Sequence, residues 1–516
     1  MNTNSSTTSA TPAPNSDATT TATAPARAAA ALPATRRDFL KNILAAGAIT
    51  AITPRLLLAA GAPAVKTKSK TKPAPKRYTG EKVNLACIGI GNRGKDVITS
   101  LDDTGLASIV ALCDTDMGAP HTQAILKKFP GIPRFQDFRQ MFDKMGGQIE
   151  AVSIAIPDFS HFPAAILAMS LGKHVYVEKP MAHTFRQIEL LMAAEKKHNV
   201  AAQMGNQGHS EANYFQFKAW TEAGIIKNVT RIDAYMNSDR RWHDDATLKK
   251  YGIAFSKLTG FLPGQPIPAT LDWDTWLTVA RQLAYNKAYV NGEWRAWYEF
   301  GNGALGDWGA HIFDTAHEFL DLGLPAEVEA VKLEGHNPFV FPQATTLAFR
   351  FPKRGSKPPL ELTWYDGADN PPPIPDEMRH PAATQSGDAE PIRLSPGKFI
   401  YGEGAIFKGD SHGSTLRILP VEKARALASS LPEVPKSPSN HFANFLLACK
   451  GREKCRSSFA VAGPLCQMMG MGVIAQRLNA KLQFDRATKQ FTNNKTANDL
   501  LTGVPPRKEW EQFYKL

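Results

Sequence analysis

Cysteine is scarce in this 516-residue sequence and forms no metal-binding or redox motif. The five cysteines are Cys87, Cys113, Cys449, Cys455 and Cys466. No two of them have the Cys-x-x-Cys spacing of a zinc site or a dithiol centre. The first two lie in apolar runs, where a thiol packs as a small apolar side chain. Cys449 and Cys455 are close enough in sequence to pair in an oxidising compartment, and both the paired and the free state stay open.

A basic surplus is also missing from most of the chain. The formal net charge is +12, but residues 1–80 alone contain eleven Lys or Arg and two Asp or Glu. The other 436 residues carry 49 basic and 46 acidic side chains and are therefore nearly neutral. A nucleic-acid-binding surface needs clustered basic charge. The sequence gives no case for nucleic acid as a partner.

The first 34 residues contain no aromatic side chain and cannot build a core. They precede the run Thr-Arg-Arg-Asp-Phe-Leu-Lys at residues 35–41 and an apolar, Ala-rich stretch at 43–60. This pattern is typical of a twin-arginine export signal, with a cleavage site after Ala64. A basic patch before a membrane helix is the alternative, but Pro54 and Arg55 interrupt the apolar stretch. We expect a periplasmic or otherwise exported protein that meets the twin-arginine machinery.

A glycine motif organises the part of the chain that follows. Residues 83–88 are an apolar run, and residues 89–94 read Gly-Ile-Gly-Asn-Arg-Gly. Strand, Gly-x-Gly-x-x-Gly turn and helix in this order form a dinucleotide cradle, although a plain strand–turn–helix can contain the same glycines. A second apolar run, 107–113, ends at Asp114, 25 residues after Gly89. A carboxylate there accepts from a ribose 2′-hydroxyl and repels a 2′-phosphate, with Asp116 adding to the repulsion.

A third apolar run, 151–156, leads into Pro157, Asp158 and His161. Continuous apolar runs are expected of parallel strands that are covered on both faces. Ligands bind at the carboxyl ends of such strands, so these side chains should lie near the cofactor. The next strand and its end read Gly-Lys-His-Val-Tyr-Val-Glu-Lys-Pro at 172–180.

These motifs together resemble the Gfo/Idh/MocA oxidoreductases, a family that includes glucose-fructose oxidoreductase and inositol dehydrogenase. The resemblance runs from about residue 82 to the C-terminus, through Glu-Lys-Pro at 178–180, Met-Gly-Asn-Gln-Gly-His at 204–209 and Gly-Asp-Trp-Gly-Ala-His at 306–311. It is strongest with the exported bacterial branch. The resemblance implies that Lys179 is catalytic and that the Lys179–Pro180 bond is cis. The predicted cofactor contacts are Gly89, Gly91, Asn92, Arg93, Gly94, Asp114, Pro157, His161, Glu178 and Lys179.

A second group of chemical side chains lies on a predicted helix. Asp307 and His311 are at i and i+4, so both project from one face, and Asp314 follows three residues later. A surface pair or a buried core histidine would explain the spacing equally well, and His317 would allow a zinc site that lacks further ligands. Given the resemblance, we predict no metal and assign Asp307 and His311 as the acid/base pair beside Lys179.

Candidate substrate contacts follow from position alone. Arg and Trp near a polar crevice suit sugar rings, which offer apolar faces and hydroxyl edges. The predicted substrate-binding residues are Asn206, His209, Arg240, Arg241, Trp242 and Tyr298.

The domain plan combines these elements in an α/β fold. We predict a disordered head and signal at 1–64, a basic linker at 65–80, a Rossmann NAD(P)-binding domain at 81–206, a substrate and oligomerisation domain at 207–436, and C-terminal helices at 437–516 that return toward the nucleotide domain. Segments 327–332, 345–351 and 360–365 predict a large, mostly antiparallel sheet in the second domain. Gly463 and Pro464 predict that the last long helix starts after them.

The predicted function is NAD-dependent hydride transfer on a sugar, cyclitol or polyol by a homo-oligomeric enzyme. NADP is the alternative cofactor, because Arg93 could reach a phosphate. A cofactor that must cross a membrane with its protein is expected to be tightly bound. The alternative functions are an NAD-dependent glycosidase that oxidises the ring transiently, and a non-catalytic sugar-binding protein.

Overall fold

A computed structural model of the chain describes residues 80–236, 249, 258–367, 369–378 and 394–516. The predicted signal, its cleavage site and the linker up to residue 79 lie outside the described residues. So do three predicted substrate contacts, Arg240, Arg241 and Trp242.

The first sheet is parallel throughout and has the strand order β3-β2-β1-β4-β5-β6. Its strands are β1 (Val83–Ile88), β2 (Ala107–Cys113), β3 (Arg134–Phe135), β4 (Ala151–Ile154), β5 (His174–Val177) and β6 (Ala202–Met204). Its helices are α1 (Arg93–Asp103), α2 (Gln123–Lys128), α3 (Phe138–Met145), α4 (Asp158–Ser170) and α5 (Phe185–His198).

The order of this sheet reverses at β1, and the crevice at that switch point is where such sheets bind ligands. Strand β1 pairs with β2 on one side and with β4 on the other. Its side chains are almost all buried, as are all those of β4, which explains why both runs are continuously apolar. Helix α5 begins with a capping box between Thr184 and Gln187, which sets its start just after the end of β5.

The second sheet has nine strands in the order β13-β12-β11-β7-β10-β9-β8-β14-β15. All its pairings are antiparallel except β7 with β10, so the predicted mostly antiparallel sheet and the α/β fold class are confirmed. Its strands are β7 (Arg231–Met236), β8 (Glu327–Glu334), β9 (Ala344–Phe351), β10 (Leu360–Asp366), β11 (Gly397–Gly402), β12 (Ala405–Asp410), β13 (Arg417–Leu419), β14 (Lys481–Asp485) and β15 (Gln490–Phe491). The remaining helices are α6 (Ala212–Glu222), α7 (Trp273–Leu277), α8 (Gly303–Ile312), α9 (Asp314–Phe319), α10 (Val421–Leu427), α11 (His441–Cys449), α12 (Phe459–Leu478) and α13 (Lys495–Thr502).

Helix α12 joins the two sheets by packing against α5 on one side and against α8 and β8 on the other. Among the described residues it is the one helix long and apolar enough to span a membrane, and 83% of its most apolar window is buried in the protein. The predicted start after Pro464 is wrong, because the helix begins at Phe459 and contains the proline. Proline forfeits one backbone bond there, and the neighbouring Gly463 packs so close to Met192 that a Cβ on it would lie 2.3 Å from the sulfur.

Candidate active site

The glycine turn after β1 is shaped by contacts that exclude larger side chains. Gly89 has φ +82°, and a Cβ on it would lie 2.3 Å from the oxygen of Ala155. A Cβ on Gly94 would lie 2.1 Å from the oxygen of Gly89. The turn therefore keeps its backbone open at the N-terminus of α1, where a pyrophosphate binds in dinucleotide folds.

Asp114 follows β2 and is held in place by backbone donors. Its Oδ2 accepts from Ile90 N at 3.0 Å and its Oδ1 accepts from Asp116 N at 3.1 Å. Burial raises the pKa of this carboxyl, and the two backbone hydrogen bonds oppose that shift. A carboxylate fixed beside the glycine turn is placed to receive ribose hydroxyls, so these residues fit a dinucleotide.

A segment of the second half of the chain, residues 268–278, crosses this end of the cleft, and we call it the collar. Asp272 N donates to Thr115 O at 2.8 Å, and Thr270 Oγ1 donates to Asp116 Oδ1 at 2.6 Å. At its far end, Arg507 Nη2 donates to Thr278 O at 2.9 Å. The cofactor cleft is consequently lined from both sides, by the first sheet and by the collar.

Lys179 lies just beyond β5, at the other end of the same cavity, which has a volume of about 760 Å³. Its Nζ donates to Asp307 Oδ1 at 2.6 Å and to Asp307 O at 2.7 Å. Arg295 Nε lies 3.4 Å from the same carboxylate oxygen. The Lys179–Pro180 bond is cis, as the resemblance implied. Asp307 is thus a buried anion between two cations.

Glu178 forms an ion pair with Arg93. Its Oε1 accepts from Arg93 Nε at 3.1 Å and from Arg93 Nη2 at 3.0 Å. Arg93 therefore ties the first turn of α1 to the end of β5. This pairing weakens the idea that Arg93 serves a 2′-phosphate.

His311 lines the cavity, but its surroundings differ from those expected. Its Nδ1 is buried without a hydrogen-bond partner among the described residues, and its ring stacks on His412 with centroids 4.1 Å apart. Burial, reinforced by the charge of Lys179, holds the pKa of His311 well below its ordinary value. The buried imidazole is therefore neutral, which is the form a general base requires.

The family assignment follows from the match of both halves of this site. Residues 83–206 match the model described as "Oxidoreductase family, NAD-binding Rossmann fold", and residues 250–340 and 412–512 match the one described as "Oxidoreductase family, C-terminal alpha/beta domain". The chain belongs to the Gfo/Idh/MocA oxidoreductase family. The predicted family and the NAD-binding domain are confirmed.

Some relatives of the chain are named as glycoside hydrolases. A protein of Shewanella sp. strain ANA-3 called glycosyl hydrolase family 109 protein 1 is 31% identical over 223 residues, which are 40% of this chain and 47% of that protein. A Shewanella oneidensis protein called alpha-N-acetylgalactosaminidase is 30% identical over the same length and shares. The chain thus spans about half the length of these relatives.

Solved structures show the fold. The WlbA dehydrogenase from Chromobacterium violaceum, crystallised with NADH and UDP-GlcNAcA, is 12% identical with a TM-score of 0.54. The match covers 80% of this chain and 99% of that one.

Within this Gfo/Idh/MocA site, the predicted cofactor contacts His161 and Pro157 lie near the end of β4. His161 lines the cavity, but its Nδ1 is 2.8 Å from Pro180 O and its Nε2 is 2.7 Å from Ile156 O. Burial lowers the pKa of His161 to about 4. The ring therefore braces the Lys179–Pro180 turn, and its nitrogens are engaged with protein. Pro157 lines the cavity beside it.

Three predicted substrate contacts lie away from the cavity, and the prediction for them needs correction. Asn206 donates through Nδ2 to Asp314 Oδ2 at 3.1 Å, and His209 Nδ1 lies 3.2 Å from the same oxygen. Tyr298 is in the core, with its ring centroid 4.1 Å from that of Phe341. Position along the chain suggested a crevice, but the helix and strand geometry turns these side chains inward.

The expected grouping of Asp314 with the acid/base pair is also wrong. Helix α8 ends at Ile312 and Asp314 starts the separate helix α9, so its carboxylate faces His209 instead of His311. The carboxylate of Asp307 accepts a hydrogen bond from Lys179 Nζ. No cluster of three or more His, Cys, Asp or Glu in the described part of the chain could hold a metal ion.

The cavity contains residues that the sequence did not suggest. Arg295 and Trp294 come from the segment after the collar, and His412 comes from a turn after β12. Asp158, which was expected near the cofactor, lines the cavity as well, and burial raises its pKa to about 7 although the charge of Arg295 opposes the shift. No short motif marks Arg295 or His412, because Arg295 belongs to the 3₁₀ helix Glu293–Ala296 and His412 to a turn, and tertiary packing places both.

Proposed function

We propose that the protein is an NAD-dependent oxidoreductase that transfers hydride between nicotinamide and a hydroxyl or keto group of a sugar, cyclitol or polyol. One observation carries the proposal. A single cavity contains the dinucleotide cradle at one end and Lys179, Asp307 and His311 at the other. Bound NAD supplies the acceptor for the hydride.

The side chains take distinct roles in this proposal. The ammonium of Lys179 stabilises negative charge on the substrate oxygen. Neutral His311 accepts the hydroxyl proton. Asp307, paired with Lys179 at 2.6 Å, fixes the direction of the ammonium group. Trp308 and Arg295 offer a sugar one flat apolar face and one charged edge at this end of the cavity.

We propose NAD over NADP because of two carboxylates at the ribose end. Asp114 and Asp116 are adjacent to the glycine turn, and a 2′-phosphate would face both. Arg93, the cation that could have met a 2′-phosphate, is paired with Glu178.

An NAD-dependent glycosidase is the second candidate, and the names of the Shewanella relatives favour it. Such an enzyme would oxidise the ring transiently and return the hydride, so it would release a product sugar without net cofactor reduction. This chemistry needs groups that can accept and donate protons, and the site contains the imidazoles of His311 and His412.

One experiment separates these functions. The purified, NAD-loaded protein is incubated with a panel of sugars, polyols and nitrophenyl glycosides that includes the N-acetyl-α-galactosaminide. Net growth of reduced-nicotinamide absorbance supports the oxidoreductase, and nitrophenol release without net reduction supports the glycosidase. If neither signal appears although NAD is bound and sugar binding is measurable, the result would instead support the non-catalytic alternative.

We also propose that the protein is exported by the twin-arginine route and keeps its cofactor. The collar supports retention, because it is hydrogen-bonded across the cofactor end of the cavity. Changing Arg36 and Arg37 to Lys should trap the protein in the cytoplasm in cell fractionation. Self-association, the remaining proposed property, is tested by light scattering of the purified chain.

A further inference from the structure

We propose that His412 is a positioning residue for the general base: its ring holds His311 in place and its positive charge at acidic pH keeps His311 unprotonated. The proposal rests on the proposed function in assigning His311 as the base. It concerns a side chain that lies about a hundred residues further along the sequence.

The geometry of the two rings is that of a stacked pair. Their centroids are 4.1 Å apart and their planes differ by 14°. Trp308 makes an edge-to-face contact with His412, with ring centroids 5.7 Å apart and planes at 88°. His412 is exposed, whereas His311 is buried with 6% of its surface accessible. The pair thus has one inner ring and one outer ring.

The turn that carries His412 is built to hold it there. His412 N donates to His311 O at 2.7 Å, which ties the turn to the helix of the base. His412 has φ +57°, a left-handed conformation that a histidine adopts at some cost. A Cβ on Gly413 would overlap the carboxylate of Glu211, and a Cβ on Gly208 would lie 2.8 Å from the backbone of His412. The turn consequently has little room to move away.

Stacking replaces the usual means of orienting a catalytic histidine. A general base is normally held by a hydrogen bond to its second ring nitrogen. Nδ1 of His311 is buried and has no such partner among the described residues. The face of His412 is therefore the contact that limits rotation of the ring.

The same contact makes the protonation of the two rings mutually exclusive. Two cationic imidazoles at this separation repel each other. The charged groups that act on the pair are Lys179, Arg93, Asp307 and Asp314, with Glu211 beside the turn. Desolvation has the largest effect on the pKa of both rings, and the positive charge of Lys179 has the second largest; both effects lower the pKa. His412 is the less buried of the two rings. The outer ring therefore takes the first proton as the pH falls, and its charge disfavours a second proton on His311.

The test compares His412→Phe with His412→Ala. Phenylalanine keeps an aromatic face without a titrating group, and alanine removes both. In His412→Phe we expect the acid limb of the pH profile to move upward by about half a pH unit or more, and the plateau of kcat to fall less than in His412→Ala. In His412→Ala the limb should move similarly, and the plateau should fall by about tenfold because the ring is no longer oriented. His336→Phe, a change outside the cavity lining, serves as the matched control.

A second readout does not depend on any substrate. Histidine ring signals of the NAD-loaded protein are followed by NMR across pH, with His311 assigned through its loss in His311→Gln. The titration midpoint of His311 should rise in His412→Phe. An unchanged midpoint, or pH profiles that superimpose on the wild type, would overturn the electrostatic role. An equal fall of the plateau in both variants would overturn positioning by stacking. If the panel yields no substrate, the proposed function fails while the NMR midpoint still decides the inference.

Discussion

Replacing Lys179 with methionine removes the ammonium and keeps most of the side-chain stem. In the structure this leaves the Asp307 carboxylate, 6% exposed, without its partner at 2.6 Å but still 3.4 Å from Arg295. Breaking a buried ion pair typically costs about 3–5 kcal/mol. Because Arg295 remains, we expect the free energy of unfolding to fall by about 1–3 kcal/mol. Loss of one preorganised charge at the reacting oxygen should lower kcat by about 10²–10³-fold.

The assay follows turnover on the best panel substrate, NAD content after denaturation, and unfolding in urea. Lys173→Met is the matched control, since its Nζ bonds to Gly146 O at 2.7 Å and does not line the cavity. Changing Asp307 to Asn in the Lys179→Met background should recover part of the lost stability without recovering activity, because the buried carboxylate that lost Lys179 is no longer charged. A Lys179→Met enzyme with full NAD content and more than about a tenth of wild-type kcat would refute the assignment.

Other predictions address the cofactor cleft and the buried charges. Gly94→Ala forces a Cβ to 2.1 Å from a backbone oxygen and should reduce bound NAD and lower Tm, while Gly131→Ala, with no atom within 4 Å, should do neither. Thr270→Ala removes the 2.6 Å bond of the collar to Asp116 and should speed NAD loss on dialysis, and an unchanged rate would argue against retention by the collar. Burial alone lowers the pKa of His209, but the neighbouring carboxylates of Asp314 and Glu318 raise it to about 9. Its stabilising effect is therefore complete below about pH 6.5 and lost as the pH rises through about 9, so Tm should fall across that window in the wild type and less in His209→Gln.

Local sequence patterns determined most of the elements of the fold. Continuous apolar runs at 83–88 and 107–113 became β1 and β2, because a strand buried in a parallel sheet leaves a strong local signal. The segments predicted as strands near 327, 345 and 360 became β8, β9 and β10. The start of α12 was missed, since a proline in an early turn is tolerated when tertiary packing outweighs one lost hydrogen bond.

The sequence by itself also predicted the dinucleotide cradle from its glycine spacing, and the family resemblance of its motifs pointed to Lys179, Asp307 and His311. Only the tertiary structure decided which of them touch. Lys179 and Asp307 are 128 residues apart and meet through the packing of α8 against the end of β5. The collar and His412 reach the cavity on segments that the sequence motifs do not mark, and Asn206 and His209 turn inward toward a buried carboxylate. Such contacts arise from long-range packing and leave no periodicity in the sequence.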